Sequence, residues 1–234
     1  YQRMLKREDR GTGGINCGVE VFDRADSTEE FQAMFSVRGK ALYTKMDFLF
    51  KMIGEILNSS KLEDTKRLYE IVASVKSRAQ VNLTGAGHST AVLRAAAYSS
   101  PMAAFQDEMA GIGYYQFIEK LEKDFEQRKE ETVEELCKLM KKILRPENFM
   151  ISYTGERESL ETVQKLAGAV KAGLGTEPVE KSEEKLTCTK KNEGFKTSGQ
   201  VQYVAQTGNF KKKGLEYTGA LEILKVILSY DYLW

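Results

Sequence analysis

Histidine is almost absent from this sequence, in which His88 is the single example among 234 residues. The zinc-peptidase signatures HExxH and HxxEH both need two histidines, because imidazoles hold the metal while a nearby glutamate takes a proton from the metal-bound water. The residues that follow His88 are Ser89, Thr90, Ala91 and Val92, so neither spacing is present. The sequence therefore predicts no catalytic residue and no metal ligand of these types.

The chain also lacks an excess of charge and any long apolar run. Lysine plus arginine number 35 against 34 for aspartate plus glutamate, so no net field would attract nucleic acid or an anionic membrane surface. The apolar run from Ile223 to Leu228 is far shorter than the roughly 20 residues of a bilayer-spanning helix. We therefore expect neither nucleic acid nor a membrane as a partner.

Cysteine is scarce, and Cys17, Cys137 and Cys188 include no CxxC pair. An odd number of cysteines without that spacing favours reduced thiols over a secreted disulfide framework, and predicts a cytoplasmic protein. A GxSxG nucleophile elbow is also missing. We interpret the three cysteines as core residues.

Hydrophobic periodicity is what the chain does have. Alternating apolar residues over 15–21 and 31–37 predict an antiparallel pair of strands. The 3.6-residue period then predicts helices over 42–57, from about 63 to 83, over 89–99, over 103–144 with breaks at Gly111 and Gly113, and over 160–170. A further strand is predicted at 149–153. The fold class predicted is α+β, an antiparallel-rich sheet packed against several helices.

A stretch rich in glycine, charge and one proline near residue 175 predicts a domain boundary. We expect a first domain at 1–175, a linker at 176–183, and the beginning of a second, truncated domain at 184–234. In this second part we expect short strands at 186–188 and 201–205. A helix from Thr218 is expected to turn four residues inward, namely Leu221, Leu224, Ile227 and Leu228.

Two short motifs could carry binding chemistry. Residues 85–90 read GAGHST, which lacks both the lysine of a P-loop and the third glycine of GxGxxG. We expect His88 to close a loop there by hydrogen bonding to the backbone at a helix start. The run from Lys211 to Lys213 is expected to be a solvated turn, with contact to an acidic peptide terminus as the alternative. Substrate-binding residues stay unknown at this point.

Several segments resemble the second half of presequence-degrading enzymes of the insulinase/pitrilysin family of zinc peptidases. Those segments are Thr12 to Ile15, Phe35 to Leu42, Gly87-His88-Ser89 followed by Ala91, Arg94-Ala95 and Gly111-Ile112, then Phe149 to Gly155, and Gln200 to Phe210. The resemblance implies four homologous α+β domains in two halves that close around a chamber for unfolded peptides. Residues 1 to about 175 would be the third domain, and residues from about 184 would begin the fourth.

The resemblance also implies how chemistry is divided in the parent protein. Its zinc would lie in the N-terminal catalytic half, which becomes the expected partner, together with unfolded peptide substrates. The family's RxxGGxYG-like stretch, which holds substrate opposite the metal, would follow the helix at 218–234, and no residue here matches it. We therefore expect no catalytic residue and no cofactor in this chain, and an inactive fragment.

Two functions remain open from the sequence. The chain could be a non-catalytic chamber wall of a zinc-dependent metalloendopeptidase, or a separate inactive scaffold or subunit that binds peptide or partner proteins. Because the first residue is Tyr1 and no helix stop follows Thr218, we expect the natural protein to continue both ways. Truncation would leave exposed apolar surface near 224–234, and self-association there is a further expectation.

Overall fold

A computed structural model describes residues 12–24, 27, 29–180, 186, 188–197 and 200–232. Two strands, β1 (Ile15–Asp23) and β2 (Phe31–Gly39), form a two-stranded antiparallel sheet. Eight α-helices follow in the described residues: α1 (Met46–Ser59), α2 (Thr65–Gly85), α3 (Gly87–Ala96), α4 (Pro101–Ala110), α5 (Ile112–Lys123), α6 (Phe125–Ile143), α7 (Leu160–Ala172) and α8 (Gly219–Ile227). The α+β class is confirmed, with helix as the dominant element.

Short helical turns complete the secondary structure. The 3₁₀ turns are Tyr43–Lys45, Pro146–Asn148, Arg157–Ser159 and Lys211–Lys213, and α8 continues into a π-helical turn at Leu228–Tyr232. No helix in the described part of the chain is long and apolar enough to cross a bilayer.

The chain divides into two compact units. The first unit contains the described residues within 1–20, 33–76 and 118–184, and the second contains those within 21–32, 77–117 and 185–234. The predicted boundary between domains at 1–175 and 184–234 stays a prediction, and part of the predicted linker at 176–183 lies outside the described residues.

The core of the first unit is built around helices α1 and α7, which pack on each other. The periodicity of α1 places Leu49 and Met52 inward, and α7 contributes Val163, Ala167 and Val170. Phe125, the first residue of α6, is 1% exposed and lies with its ring centroid 5.3 Å from that of Tyr69. Gly39 at the end of β2 leaves room for this core, because a Cβ there would lie 2.5 Å from Leu49 Cδ1.

In the second unit, helices α3 and α4 pack together. Helix α4 begins where Ser100 caps it, since the Ser100 hydroxyl accepts a hydrogen bond from the Ala103 N–H at 3.4 Å and Pro101 supplies the first helical residue. The long predicted helix over 103–144 is indeed interrupted at Gly111. Gly113 instead lies within the first turn of α5, and a further break falls at Asp124.

Two of the predicted strands are wrong. Residues 149–154 and 201–209 are irregular rather than paired. A strand needs the hydrogen-bond ladder of a neighbour, and the described residues include no such neighbour for these segments. Just after the first segment the Tyr43 hydroxyl accepts from the Glu156 N–H at 3.0 Å, and in the second the Tyr203 ring lies against Gly87 of α3. The strand predicted at 186–188 lies partly outside the described residues.

The interpretation of the cysteines as core residues is also wrong. Cys17 is exposed, because it lies on an open face of the two-stranded sheet, and Cys137 and Cys188 are only half-buried.

Helix α8 does not bury the stripe predicted for it. Leu224, Ile227 and Leu228 are exposed, and Leu221 is half-buried. Glu222 and Lys225 pair at 3.2 Å along one side of the helix, so α8 is amphipathic, but its apolar side is left largely uncovered in the described part of the chain. The exposed apolar surface expected near residue 224 is present as far as Tyr230, and later side chains lie outside the described residues. Self-association through it stays a prediction.

Candidate functional site

A cleft of about 700 Å³ lies within the second unit, between α3, α4, the start of α5 and the irregular segment 188–197. Its lining combines charged, polar and aromatic side chains, among them Arg94, Tyr98, Asp107, Gln116, Phe117 and Lys191. The ion pair between Arg94 and Asp107 forms its floor.

Asp107 is buried, and its carboxylate accepts hydrogen bonds from three donors. It is 1% exposed, and its Oδ2 accepts from Arg94 Nη1 at 2.7 Å. The N–H groups of Ile112 and Gly113 donate to Oδ1 and Oδ2, each at 3.1 Å. These two N–H groups belong to the first turn of α5, where no intrahelical acceptor exists. The Asp107 carboxylate therefore joins α3, through Arg94, to the start of α5. The three hydrogen bonds that it accepts also compensate for the cost of burying its charge.

The break between α4 and α5 needs glycine because this carboxylate folds back over it. A Cβ at Gly111 would lie 2.2 Å from Asp107 Oδ1 and 2.9 Å from the Asp107 Cα. A Cβ at Gly113 would lie 2.8 Å from Asp107 Oδ2. The Gly111-Ile112-Gly113 sequence is thus explained by close packing, not only by helix interruption.

Substitution of this glycine gives a direct stability test. We expect Gly111→Ala to lower the free energy of unfolding by about 1–3 kcal/mol, because the methyl group would displace a carboxylate that two N–H groups and Arg94 hold in place. Urea denaturation followed by circular dichroism measures this change.

The matched control is Gly168→Ala in the interior of α7, where a Cβ would meet nothing within 4 Å. Alanine is the better helix former there, so we expect a gain of up to about 1 kcal/mol. Equal effects at the two positions would contradict the packing explanation.

The outer side of Arg94 carries a second carboxylate. Arg94 Nε and Nη2 donate to the two oxygens of Glu193 at 3.0 and 3.4 Å, and Nε also donates to the Tyr98 hydroxyl at 3.1 Å. The Tyr98 hydroxyl donates in turn to Glu193. The guanidinium carbon lies 5.5 Å from the Tyr98 ring centroid and 5.7 Å from that of Phe195. One guanidinium thus holds two carboxylates between aromatic rings.

These contacts change the pKa values of the cluster. Burial alone would lower the pKa of Arg94, but hydrogen bonds to Glu193 and Asp107 outweigh it, and the pKa is raised. The hydrogen bond from Arg94, with a second from Tyr98, lowers the pKa of Glu193 below its ordinary 4.5. Burial, assisted by the bond to Glu193, raises the pKa of Tyr98. At neutral pH Arg94 is therefore a cation, Glu193 an anion and Tyr98 a neutral phenol.

The lowered pKa of Glu193 predicts a pH-dependent stability. In the unfolded chain Glu193 binds a proton near pH 4.5, whereas in the folded chain it binds one only at a lower pH. The ionised side chain therefore contributes its full stabilisation of the fold above pH 4.5. This stabilisation is lost as the pH falls through the lower folded pKa. We expect wild type to be more stable than Glu193→Gln at pH 7, and the difference to shrink on acidification below pH 4.5. A difference that grows in acid would contradict this linkage.

The two motifs that the sequence offered for binding chemistry lie elsewhere in the second unit. His88 is exposed in the first turn of α3, which only Ala86 separates from α2. Its ring lies 6.2 Å from that of Tyr203, and the described residues include no hydrogen-bond partner for its imidazole, in contrast to the expected backbone bond. Lys212, in the predicted basic turn, forms an ion pair of 2.7 Å with Glu29.

The described part of the chain holds neither a thiolate at Cys188 nor a metal-binding group of acidic residues. Burial, which outweighs the effects of nearby charges, raises the pKa of Cys188, so its sulfur stays a thiol at neutral pH. In the ranges that the structure describes, no three His, Cys, Asp or Glu side chains are placed to hold a metal ion. The absence of catalytic residues, metal ligands and a cofactor stays a prediction for the whole chain. The Arg94 cluster suits recognition and helix positioning, because its charges pair with one another.

Sequence reasoning missed Asp107, Tyr98 and Glu193. Arg94 and Gly111 stood out only as part of a family-like pattern. A local signal for Asp107 did exist, since a carboxylate four residues before a Gly-x-Gly break can reach the first N–H groups of the next helix. No local signal pointed to Glu193, which lies 99 residues from Arg94 in the sequence.

Residues 1–121 match a family model that describes a region associated with peptidases of metallopeptidase family 16, subfamily C. The chain is 32% identical over its full length to Protein HypA of Clostridium perfringens, of which it covers 24%. It is 26% identical over 96% of its length to Presequence protease 1, chloroplastic/mitochondrial, of Arabidopsis thaliana, covering 21% of that protein. It is 25% identical over 95% of its length to the mitochondrial presequence protease of Yarrowia lipolytica, covering 23%.

The chain thus spans less than a quarter of the length of these curated relatives. The names of the two eukaryotic proteins place them in organelles, and a cytoplasmic location for this chain stays a prediction. The resemblance to presequence-protease-like peptidases is confirmed, and the chain belongs to the peptidase-associated family of metallopeptidase family 16, subfamily C.

Proposed function

We propose that this chain is a non-catalytic part of a zinc-dependent metalloendopeptidase, and that it forms part of a closed chamber for unfolded peptides. The observation that carries the proposal is the family match over residues 1–121, continued by similarity to presequence proteases over nearly the whole chain. Under this proposal the zinc and the HxxEH motif belong to the N-terminal half of the parent protein, which is the partner of this chain.

The Arg94 cluster supports a structural role in such a chamber. A chamber wall must hold its shape while peptide binds, because misplacement of a substrate reduces the rate of its reaction steeply. The Asp107 carboxylate joins α3 and α5 through charge-assisted hydrogen bonds to Arg94, Ile112 and Gly113. The cleft beside it also gives this part of the wall a polar surface on which peptide could lie.

The metallopeptidase-repeat layout is part of the same proposal. Residues 1–175 would form a third repeat domain and residues 184–234 would begin a fourth. The order β1, β2, α1 at the start of the chain supports it, because strands followed by a helix that packs on them are compatible with an α+β repeat.

Peptide turnover tests the proposal. We expect the purified chain, supplied with zinc, not to cleave an internally quenched unfolded peptide. Coexpression with the HxxEH-bearing half of the parent protein should restore cleavage, and replacement of a histidine in that HxxEH motif should abolish it again. Cleavage by this chain alone, stopped by a chelator and restored by zinc, would overturn the assignment.

The separate-scaffold function makes the opposite prediction for coexpression. A scaffold that acts outside a peptidase would bind partner proteins but would not restore cleavage. The reading frame upstream of residue 1 gives an independent check, because only the chamber-wall function requires an HxxEH-bearing half in the same polypeptide.

A further inference from the structure

The irregular segment 188–197 contacts the cleft through a carboxylate. Most of its residues are exposed, yet Glu193 reaches Arg94 with both oxygens and Phe195 lies against the same guanidinium. Lys191 from this segment also lines the cleft. A short piece of the chain without regular secondary structure therefore lines the cleft, with a carboxylate at the guanidinium.

The two carboxylates on Arg94 are not equivalent. The Asp107 side chain is 2% exposed and accepts bonds from two backbone N–H groups, so it cannot leave without stranding them. The Glu193 side chain is 27% exposed and belongs to a segment without regular secondary structure. Of the two, Glu193 is the one that another carboxylate can replace at low free-energy cost.

We propose that Arg94 and Tyr98 form a binding site for a peptide carboxylate, which Glu193 occupies in this structure and which a bound peptide takes over by displacing Glu193. The Nε and Nη2 groups of Arg94 form the planar fork that binds a carboxylate with two parallel hydrogen bonds, and the Tyr98 hydroxyl adds a third donor.

The exchange is balanced in charge and in hydrogen bonds. One carboxylate leaves and another enters, so the total charge around Arg94 does not change and no donor is left unpaired. The remainder of the peptide has a place in the cleft of about 700 Å³, where Gln116 offers an amide and Phe117, 58% exposed, offers an apolar surface. The ligand class is thus a peptide with a free C-terminal carboxylate or an acidic side chain.

This inference rests on the proposed function only in naming a peptide as the source of the carboxylate. Its test measures binding selectivity, whereas the test of the proposed function measures turnover, so the two fail separately.

Three fluorescently labelled hexapeptides of otherwise equal sequence provide the probes. One ends in a free carboxylate and has no acidic residue, one is amidated and contains a single glutamate, and one is amidated and has no acidic residue. Fluorescence anisotropy measures their affinity for the full chain, for Glu193→Ala and for Glu193→Gln. The control variant is Glu131→Ala, which removes a carboxylate from α6 in the first unit.

We expect both Glu193 variants to bind at least one acidic peptide about tenfold more tightly than wild type. An internal competitor that filled the site about nine-tenths of the time would weaken the apparent affinity about tenfold, and its removal would restore that factor. The neutral amidated peptide should be unaffected, and Glu131→Ala should behave like wild type. The peptide that gains affinity identifies the source as a C-terminus or an acidic side chain.

A second substitution tests the fork itself. Arg94→Lys keeps the positive charge beside Asp107 but loses the planar pair of donors, and we expect it to cancel the gain when combined with Glu193→Ala. Circular dichroism establishes that this double variant is folded, and Glu193→Ala with Tyr98→Phe, expected to lose part of the gain, gives a milder alternative. An equal gain for all three peptides, no gain, no binding of any peptide, or a gain that survives in Arg94→Lys would each overturn the proposal.

Discussion

Replacement of Asp107 by alanine is expected to lower the free energy of unfolding by about 3–5 kcal/mol, the range found when one partner of a buried ion pair is removed. The Asp107 side chain is 2% exposed, and its loss leaves the N–H groups of Ile112 and Gly113 without their acceptor. Arg94 would keep Glu193 but lose the contact that fixes it to the interior. Chemical denaturation at pH 7 measures the change.

Two further variants define the cause of that loss. Asp107→Asn preserves shape and one acceptor oxygen, so we expect a smaller loss than with alanine. Asp47→Ala removes an exposed aspartate from the first turn of α1, where the helix dipole alone predicts a change below about 1 kcal/mol. If Asp107→Ala were no more harmful than Asp47→Ala, the carboxylate would not stabilise the junction of α3 and α5.

Truncation of Met52 is expected to have the second large effect. Met52 is 2% exposed in α1, which packs on α7 in the core of the first unit. Met52→Ala should lower the free energy of unfolding by about 2–5 kcal/mol, because the lost side chain both removes buried apolar surface and leaves a cavity. The midpoint of urea denaturation reports the change.

Met150 offers the matched control for this substitution. It lies in the irregular segment 149–154 of the same unit and is 70% exposed, so the same Met→Ala change removes little buried surface. We expect Met150→Ala to stay within about 0.5 kcal/mol of wild type. Equal losses at both positions would show that the core of the first unit does not lie where α1 and α7 pack.

Sequence patterns predicted correctly those elements that depend on contacts between residues close in sequence, and they were less reliable where distant residues are involved. The alternation at 15–21 and 31–37 identified β1 and β2 because a hairpin pairs residues that are close in sequence. The same alternation at 201–205 predicted a strand wrongly. There, Val201 and Tyr203 are 64% and 46% exposed, so the alternation marks no buried face, and the described residues include no strand that pairs with this segment.

At the candidate site, too, the sequence showed local features but not the contacts between distant residues. The break at Gly111 was visible in the sequence, but its cause was not, because the sequence does not show that the Asp107 carboxylate folds back onto it. Arg94 could be noticed as part of a family-like pattern, whereas its two carboxylate partners lie 13 and 99 residues away. Charged residues are common on surfaces, so apart from the spacing of Asp107 before the Gly111 break, no pattern distinguishes the few that pair inside.

The sequence by itself determined the α+β class, most helix positions and the family, since these depend on local periodicity and on residues in linear order. Only the tertiary structure decided that Asp107 is buried, that Arg94 holds two carboxylates, and that Glu193 occupies one side of the guanidinium. The physical reason is that hydrogen bonding and desolvation act between atoms that are close in space, and chain folding alone brings residues so far apart in sequence together.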